Sequence, residues 1–127
     1  IMMGVATEAP LSDRNLERLA KRALTGLART GSAMTNGSGD YVISFSTADS
    51  GRRTAVRRNN NAEFEEVPNN SISPLFQAVA EATEEAVYNS LLMARSVTSK
   101  NVRTGETRTI DELPVDKVRE ILKKYAR

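Results

Sequence analysis

The chain has 127 residues, a mass of 13.9 kDa and a net charge of only +2, from 18 Lys and Arg against 16 Asp and Glu. It contains no Cys, His or Trp, which excludes a disulfide framework, a thiolate or imidazole zinc site and a Ser-His-Asp triad built from this chain alone. Apolar residues at 39% and charged residues at 27% are those of a folded chain, not a disordered one, and the length is that of a single domain over 1–127.

Residues Ile1 to Thr7 form a short, nearly continuous apolar run, the pattern of a strand buried on both faces. Gly4 within it suggests the close approach of another group. The clearest helix follows. Ser12 is a good N-cap, with Asp13 in the first turn where the helix dipole favours a carboxylate. Leu11 and Leu16 suit a hydrophobic staple. Leu16, Leu19, Ala20, Ala23, Leu24 and Leu27 then recur at three- and four-residue spacing. Gly26 costs about 1 kcal/mol against Ala in a helix interior, so its presence points to close packing. Gly31 marks the end of the helix.

Residues 32–40 are small and polar. Tyr41 to Thr47 read as a strand with Val42, Ser44 and Ser46 on one face and Tyr41, Ile43, Phe45 and Thr47 on the other. A turn at Asp49 to Gly51 leads to a second short strand at Thr54 to Val56, and Glu63 to Val67 reads as another extended piece. Ser73 and Pro74 open a long helix running to about Arg95. Its many alanines suit close approach to a sheet or helix. Lys100 to Arg108 form a polar link turning at Thr104 and Gly105. A last helix starts near Pro114, with Val115, Val118, Ile121, Leu122 and Tyr125 along one face. The order predicts an α+β fold, with helices covering a sheet. An apolar excess for so few strands points to a sheet continued by another chain.

Partners are constrained too. The densest basic stretch, Arg52, Arg53, Arg57 and Arg58, has no aromatic residue among it and reads as a solvated loop or edge strand rather than a nucleic-acid surface. No apolar run approaches the roughly 18 residues of a membrane helix, and nothing calls for a metal or organic cofactor. The chain opens on Ile1, not Met, as a trimmed or processed chain would. Any targeting segment then lies upstream, and the compartment stays open.

Catalytic patterns are sparse. Glu65 with Glu66 and Glu84 with Glu85 occupy ordinary charged contexts. Asn36-Gly37-Ser38-Gly39-Asp40 lacks the Lys and the following helix of a phosphate-binding loop, and the strand-to-helix order of a nucleophile elbow. It reads either as a turn before a strand or as a functional pair. If the segment is extended, Ser38 and Asp40 share a face and form a hydroxyl–carboxylate relay.

The run V-A-T-E-A-P-L-S-D-R-N-L-E-R-L-A-K-R-A-L-T-G-L-A-R-T-G, then N-G-S-G-D-Y-V-I-S-F-S-T, and later S-P-L-F-Q-A-V-A-E-A-T-E-E-A-V-Y-N-S-L, resembles the β chain of the DmpA-type peptidases. These are the L-aminopeptidase/D-amidase-esterases and β-peptidyl aminopeptidases. The resemblance spans Val5 to Tyr125 and is weakest over 51–70 and 96–109. It implies an αββα sandwich in which this chain supplies strands and helices of one half. It also implies a precursor that cleaves itself at a Gly-Ser bond, leaving the nucleophilic Ser immediately before Ile1. Ser38 and Asp40 take the places of the family's second catalytic serine and its acidic partner. Many relatives carry Glu where Asp40 stands, and the shorter side chain makes a contact there longer or water-mediated. The implied partners are the α chain of the same precursor, further αβ units up to a tetramer, and a short peptide or amide substrate. An N-terminal nucleophile uses its own α-amine as base, which fits a chain without His. Two alternatives stand beside this reading: an acyltransferase of the ornithine acetyltransferase type, and a non-enzymatic α+β interaction module in which Ser38 is a turn residue.

Overall fold

The computed structural model describes residues 1–61 and 63–125. Two compact units divide the chain, Ile1–Glu85 and Ala86–Arg127. The first holds strand β1 (Met2–Thr7), helix α1 (Asp13–Arg29), strand β2 (Tyr41–Ser46) and the short helix α2 (Ala55–Arg58). Helix α3 (Ser73–Leu92) begins in it and crosses into the second unit. That unit adds strands β3 (Val97–Lys100) and β4 (Thr107–Ile110) and helix α4 (Val115–Tyr125). The fold is α+β, as the element order predicts.

β1 and β2 pair in parallel, from Met2 opposite Tyr41 to Thr7 opposite Ser46. Parallel neighbours need a long crossover, and α1 supplies it. Alternation then decides which side chains α1 covers. Met3 and Val5 are buried beneath it together with Leu19, Ala23 and Leu27 of the helix. The opposite face carries Met2, Tyr41, Ile43 and Phe45, between 48% and 67% exposed. The first unit thus closes one face of the sheet, where the apolar run at the chain's start suggests two. Space is open around Gly4, with nothing among the described residues within 4 Å of where a Cβ would stand, so the close approach expected there is not made within the first unit.

Gly26 does have the expected role. A Cβ at this position would clash with the Ala80 carbonyl oxygen and stand 2.8 Å from Thr83 Cβ. The bare backbone lets α1 and α3 cross closely, sealed by Ile72 and Ala80, 1% and 4% exposed. Arg29 and Glu84 pair at 3.7 Å along the same crossing, and the guanidinium groups of Arg18 and Arg22 lie 4.9 and 4.1 Å from the centre of the Phe76 ring.

Several local readings change. Thr54 to Val56 do not form a strand. Thr54 caps α2, its hydroxyl accepting from the Arg57 amide at 3.3 Å. The Arg57 guanidinium donates to the carbonyls of Asp49, Ser50 and Arg52. Local capping outweighs the β-branched residues' strand preference. Glu63 to Val67 pair with no strand, although the Val67 amide donates to the Pro10 carbonyl at 3.0 Å. α3 ends at Leu92, three residues before the expected Arg95.

In the second unit the polar link around Gly105 is the tip of an antiparallel hairpin, with Val97 opposite Ile110 and Lys100 opposite Thr107. Gly105 has φ +74°, a left-handed conformation suited to glycine. The Thr98 and Thr109 hydroxyls meet across the strands at 2.9 Å. Within this unit Ile121, Leu122 and Tyr125 of α4 are more than half exposed. No helix among the described residues is long and apolar enough to cross a membrane.

Candidate active site

The loop between α1 and β2 carries Ser38 and Asp40 to the upstream end of the sheet. Gly31, at φ +93°, ends the helix, its amide donating to the Ala28 carbonyl at 3.0 Å. A turn over Thr35 to Ser38 follows, closed by the Ser38 amide donating to the Thr35 carbonyl at 2.9 Å. Gly37 has φ +93° at the third position, where a type II turn requires a positive φ and favours glycine. Met34 also adopts a positive φ, 46°, which is uncommon outside glycine.

β2 begins at Tyr41, but its pairing reaches two residues beyond the formal strand ends. The Ile1 α-amine donates to the Gly39 carbonyl at 2.8 Å, and the Tyr41 amide donates to the Ile1 carbonyl at 3.0 Å. These two bonds place Ile1 opposite Asp40. The Asp40 carboxylate lies 3.8 Å from the Ile1 ammonium, and its side chain is only 12% exposed. Ser38 is exposed, two residues away at the exit of the turn. No hydrogen bond joins Ser38 to Asp40 among the described residues. The turn occupies Thr35 to Ser38, so the alternation that would align the two in a strand does not apply to this segment. The backbone nevertheless brings Ser38, Gly39, Asp40 and the start of β1 to one end of the sheet.

The paired groups Gly39 and Tyr41 carry no signal in the sequence, because the first acts through its carbonyl and the second through its amide. They become visible only once the parallel register is known.

A second polar cluster sits at the start of α1. Ser12 is at the N-cap position, but its hydroxyl makes no capping bond and donates instead to Glu66. The same carboxylate oxygen accepts from the Ser12 amide at 3.3 Å and from Asn15 Nδ2 at 2.6 Å. Asn15 is 2% exposed. The Ser12 hydrogen bond, foremost, holds the Glu66 carboxyl below the usual carboxylate range. Glu66 therefore supplies the carboxylate that the helix start wants, from 54 residues away. The sequence places Glu66 in a solvated charged pair, since nothing local links it to Ser12. A depression of about 280 Å³ lies beside it, lined by Arg14, Asn15, Val67 and Asn69 among others. Among the described residues, no three acidic side chains gather as metal ligands.

The profile of Peptidase family S58 matches residues 1–105. Among curated proteins, the chain is 41% identical over its full length to the beta-peptidyl aminopeptidase BapA of Sphingosinicella microcystinivorans, covering 30% of that protein. It is 33% identical over 107 residues to the enzyme of the same name from Sphingosinicella xenopeptidilytica, covering 25% of it. Solved structures are similar as well. The PH0078 protein of Pyrococcus horikoshii matches with a TM-score of 0.77 and 42% identity, over 94% of this chain and 32% of that one. The L-aminopeptidase D-Ala-esterase/amidase of Ochrobactrum anthropi, described as a variant of the Ntn hydrolase fold, matches with a TM-score of 0.79 and 26% identity, over 98% of this chain and 34% of that one. The chain thus spans about a third or less of each relative's length. By the profile match over most of its residues and by these relatives, the chain belongs to peptidase family S58, the DmpA-type peptidases.

Proposed function

We propose that this chain is the β chain of a self-cleaving aminopeptidase, active together with the α chain of the same precursor. The nucleophile in this reading is a Ser immediately before Ile1. Its substrates are short peptides, amides or esters with an α-, β- or D-residue at the N-terminus. The observation that carries the reading is the pairing of Ile1 with Asp40. One step further up that ladder, the residue before Ile1 lies beside Gly39, between Ser38 and Asp40. With Ser there, the Ile1 nitrogen is a peptide N–H and keeps its bond to the Gly39 carbonyl.

The chemistry then follows from the groups at the sheet end. The α-amine of the N-terminal Ser takes the proton of its own hydroxyl; such amines have an unperturbed pKa of roughly 7.7–8.0, near neutral working pH. The hydroxyl oxygen bonds to the substrate's carbonyl carbon. The C–N bond breaks, the leaving amine takes the proton held by the ammonium, and an ester to Ser remains. Water, giving its proton to the same amine, attacks the ester carbonyl; the C–O bond to Ser breaks, the Ser oxygen takes that proton back from the ammonium, and the acid is released. Ser38 hydrogen-bonds at the nucleophile and helps relay protons. Asp40 pairs with the substrate's ammonium, a role supported by its carboxylate standing largely buried, 12% exposed, opposite the start of β1. The exposed face bearing Met2, Ile43 and Phe45 packs on a sheet of the α chain, completing an αββα sandwich.

Ser38→Ala, introduced into the whole precursor, tests the assignment. The expected loss is about 10²- to 10⁴-fold in kcat on β-alanyl or L-alanyl p-nitroanilide, the usual worth of a proton-transfer group. Wild-type turnover in the matured variant would remove Ser38 from the mechanism.

A further inference from the structure

We propose that the Tyr41 ring forms a wall of the pocket that receives the side chain of the substrate's N-terminal residue, and so sets which residues are accepted. This rests on the N-terminal Ser reading above. Paired residues in a parallel ladder point to the same face, and successive residues to opposite faces. Ile1 and Asp40 are opposite each other, so they share one face. The residue before Ile1 then pairs with Gly39 and points to the other face, with Met2 and Tyr41.

On that face Gly39 contributes no side chain, and the Tyr41 ring lies back over the vacant position. A Cβ at Gly39 would stand 3.1 Å from Tyr41 Cε2 and 3.9 Å from its hydroxyl oxygen. The ring therefore fills the space next to the nucleophile's own side chain. Nothing in this chain fills the space before the ring: Tyr41 is 65% exposed and its hydroxyl has no hydrogen-bond partner among the described residues. Asp40, its side chain 12% exposed, holds the substrate's ammonium from the α1 side of the sheet, while the nucleophile on the other face sets the carbonyl beside the Tyr41 ring. The side chain of the residue being released, or the extra methylene of a β-residue, lies between those two groups and meets that ring. A flat ring with an apolar body and a polar tip suits such a boundary. A side chain at Gly39 would crowd the ring, so the bare backbone lets it lie close.

The test compares kcat/KM for L-phenylalanyl and β-alanyl p-nitroanilides, using mature enzyme made from the whole precursor. Tyr41→Leu is expected to raise the phenylalanyl-to-β-alanyl ratio by about tenfold or more, the range that pocket size controls, with the change carried mainly by KM for the larger substrate. A ratio within twofold of wild type in matured Tyr41→Leu overturns the proposal. If that variant does not mature, Tyr41→Trp and Tyr41→Phe decide: Trp must lower the ratio about tenfold while Phe holds it within twofold, and equal ratios overturn the proposal. Wild-type enzyme that cleaves neither probe overturns the aminopeptidase reading itself, which separates the two failures.

Discussion

The two faces of the β1–β2 sheet are built from similarly apolar strands and end in opposite states. One is closed by α1: Met3 and Val5 are at most 9% exposed and meet a helix whose Leu19 and Ala23 are essentially inaccessible. The other bears Met2, Tyr41, Ile43 and Phe45 with about half or more of each exposed. A single helix crossover covers one side of two parallel strands, whereas such sheets are ordinarily buried on both. The difference teaches where the first unit stops covering its own apolar surface. Its helical side is finished, and its other side has the composition of an interior without the cover. Contiguous apolar surface of this kind marks an interaction site more often than a free surface.

The largest expected effect comes from the open face. Ile43→Asp places a carboxylate where the account puts a second sheet, and burying an unpaired charge costs several kcal/mol. Size-exclusion chromatography of the expressed precursor is expected to show aggregate or separated chains in place of a mature assembly. Unchanged assembly would show that this face stays in water.

The closed face responds through packing. Leu19→Ala is expected to destabilise the folded protein by roughly 2–5 kcal/mol, through lost burial and the cavity left behind, read as a lowered midpoint in urea. A change well below that range would mean α1 repacks on the sheet. The smallest effect is expected at Glu66, which ties α1 to the segment before α3. Its carboxyl is held below the ordinary range mainly by the Ser12 hydrogen bond. Its contribution is therefore present above the unfolded carboxylate range near pH 4.3 and lost as pH falls through the lower folded value. Glu66→Gln should flatten that part of the stability profile, measured by urea midpoints between pH 6 and 3. An acid slope identical to wild type would remove Glu66 from the account.

The parts of this fold legible in the sequence are those whose signals are local. α1 is announced by Ser12, a three-and-four-residue leucine and alanine stripe, and Gly31, and Gly26 inside it announces a close neighbour. β2 is announced by its alternation. The hairpin of the second unit is not, because Val97 to Lys100 and Thr107 to Ile110 hold only one large apolar residue each and their pairing rests on backbone and threonine hydroxyls. α2 is hidden behind β-branched residues whose conformation is set by a cap. The candidate site divides in the same way. Ser38 and Asp40 are found through a resemblance resting on side-chain identity. The Gly39 carbonyl, the Tyr41 ring over it and the Glu66–Asn15 bond depend on register or on partners dozens of residues apart, and no local pattern encodes those.

The central claim, that this chain is one part of a self-processed enzyme with its nucleophile just before Ile1, is tested most directly by intact-mass and N-terminal analysis of the product of the whole coding sequence. Two co-purifying chains are expected, the smaller beginning Ser-Ile-Met-Met, and a single uncleaved chain when that Ser is replaced by Ala. An uncleaved wild-type product with full aminopeptidase activity, or a smaller chain that begins with any other residue, would contradict it.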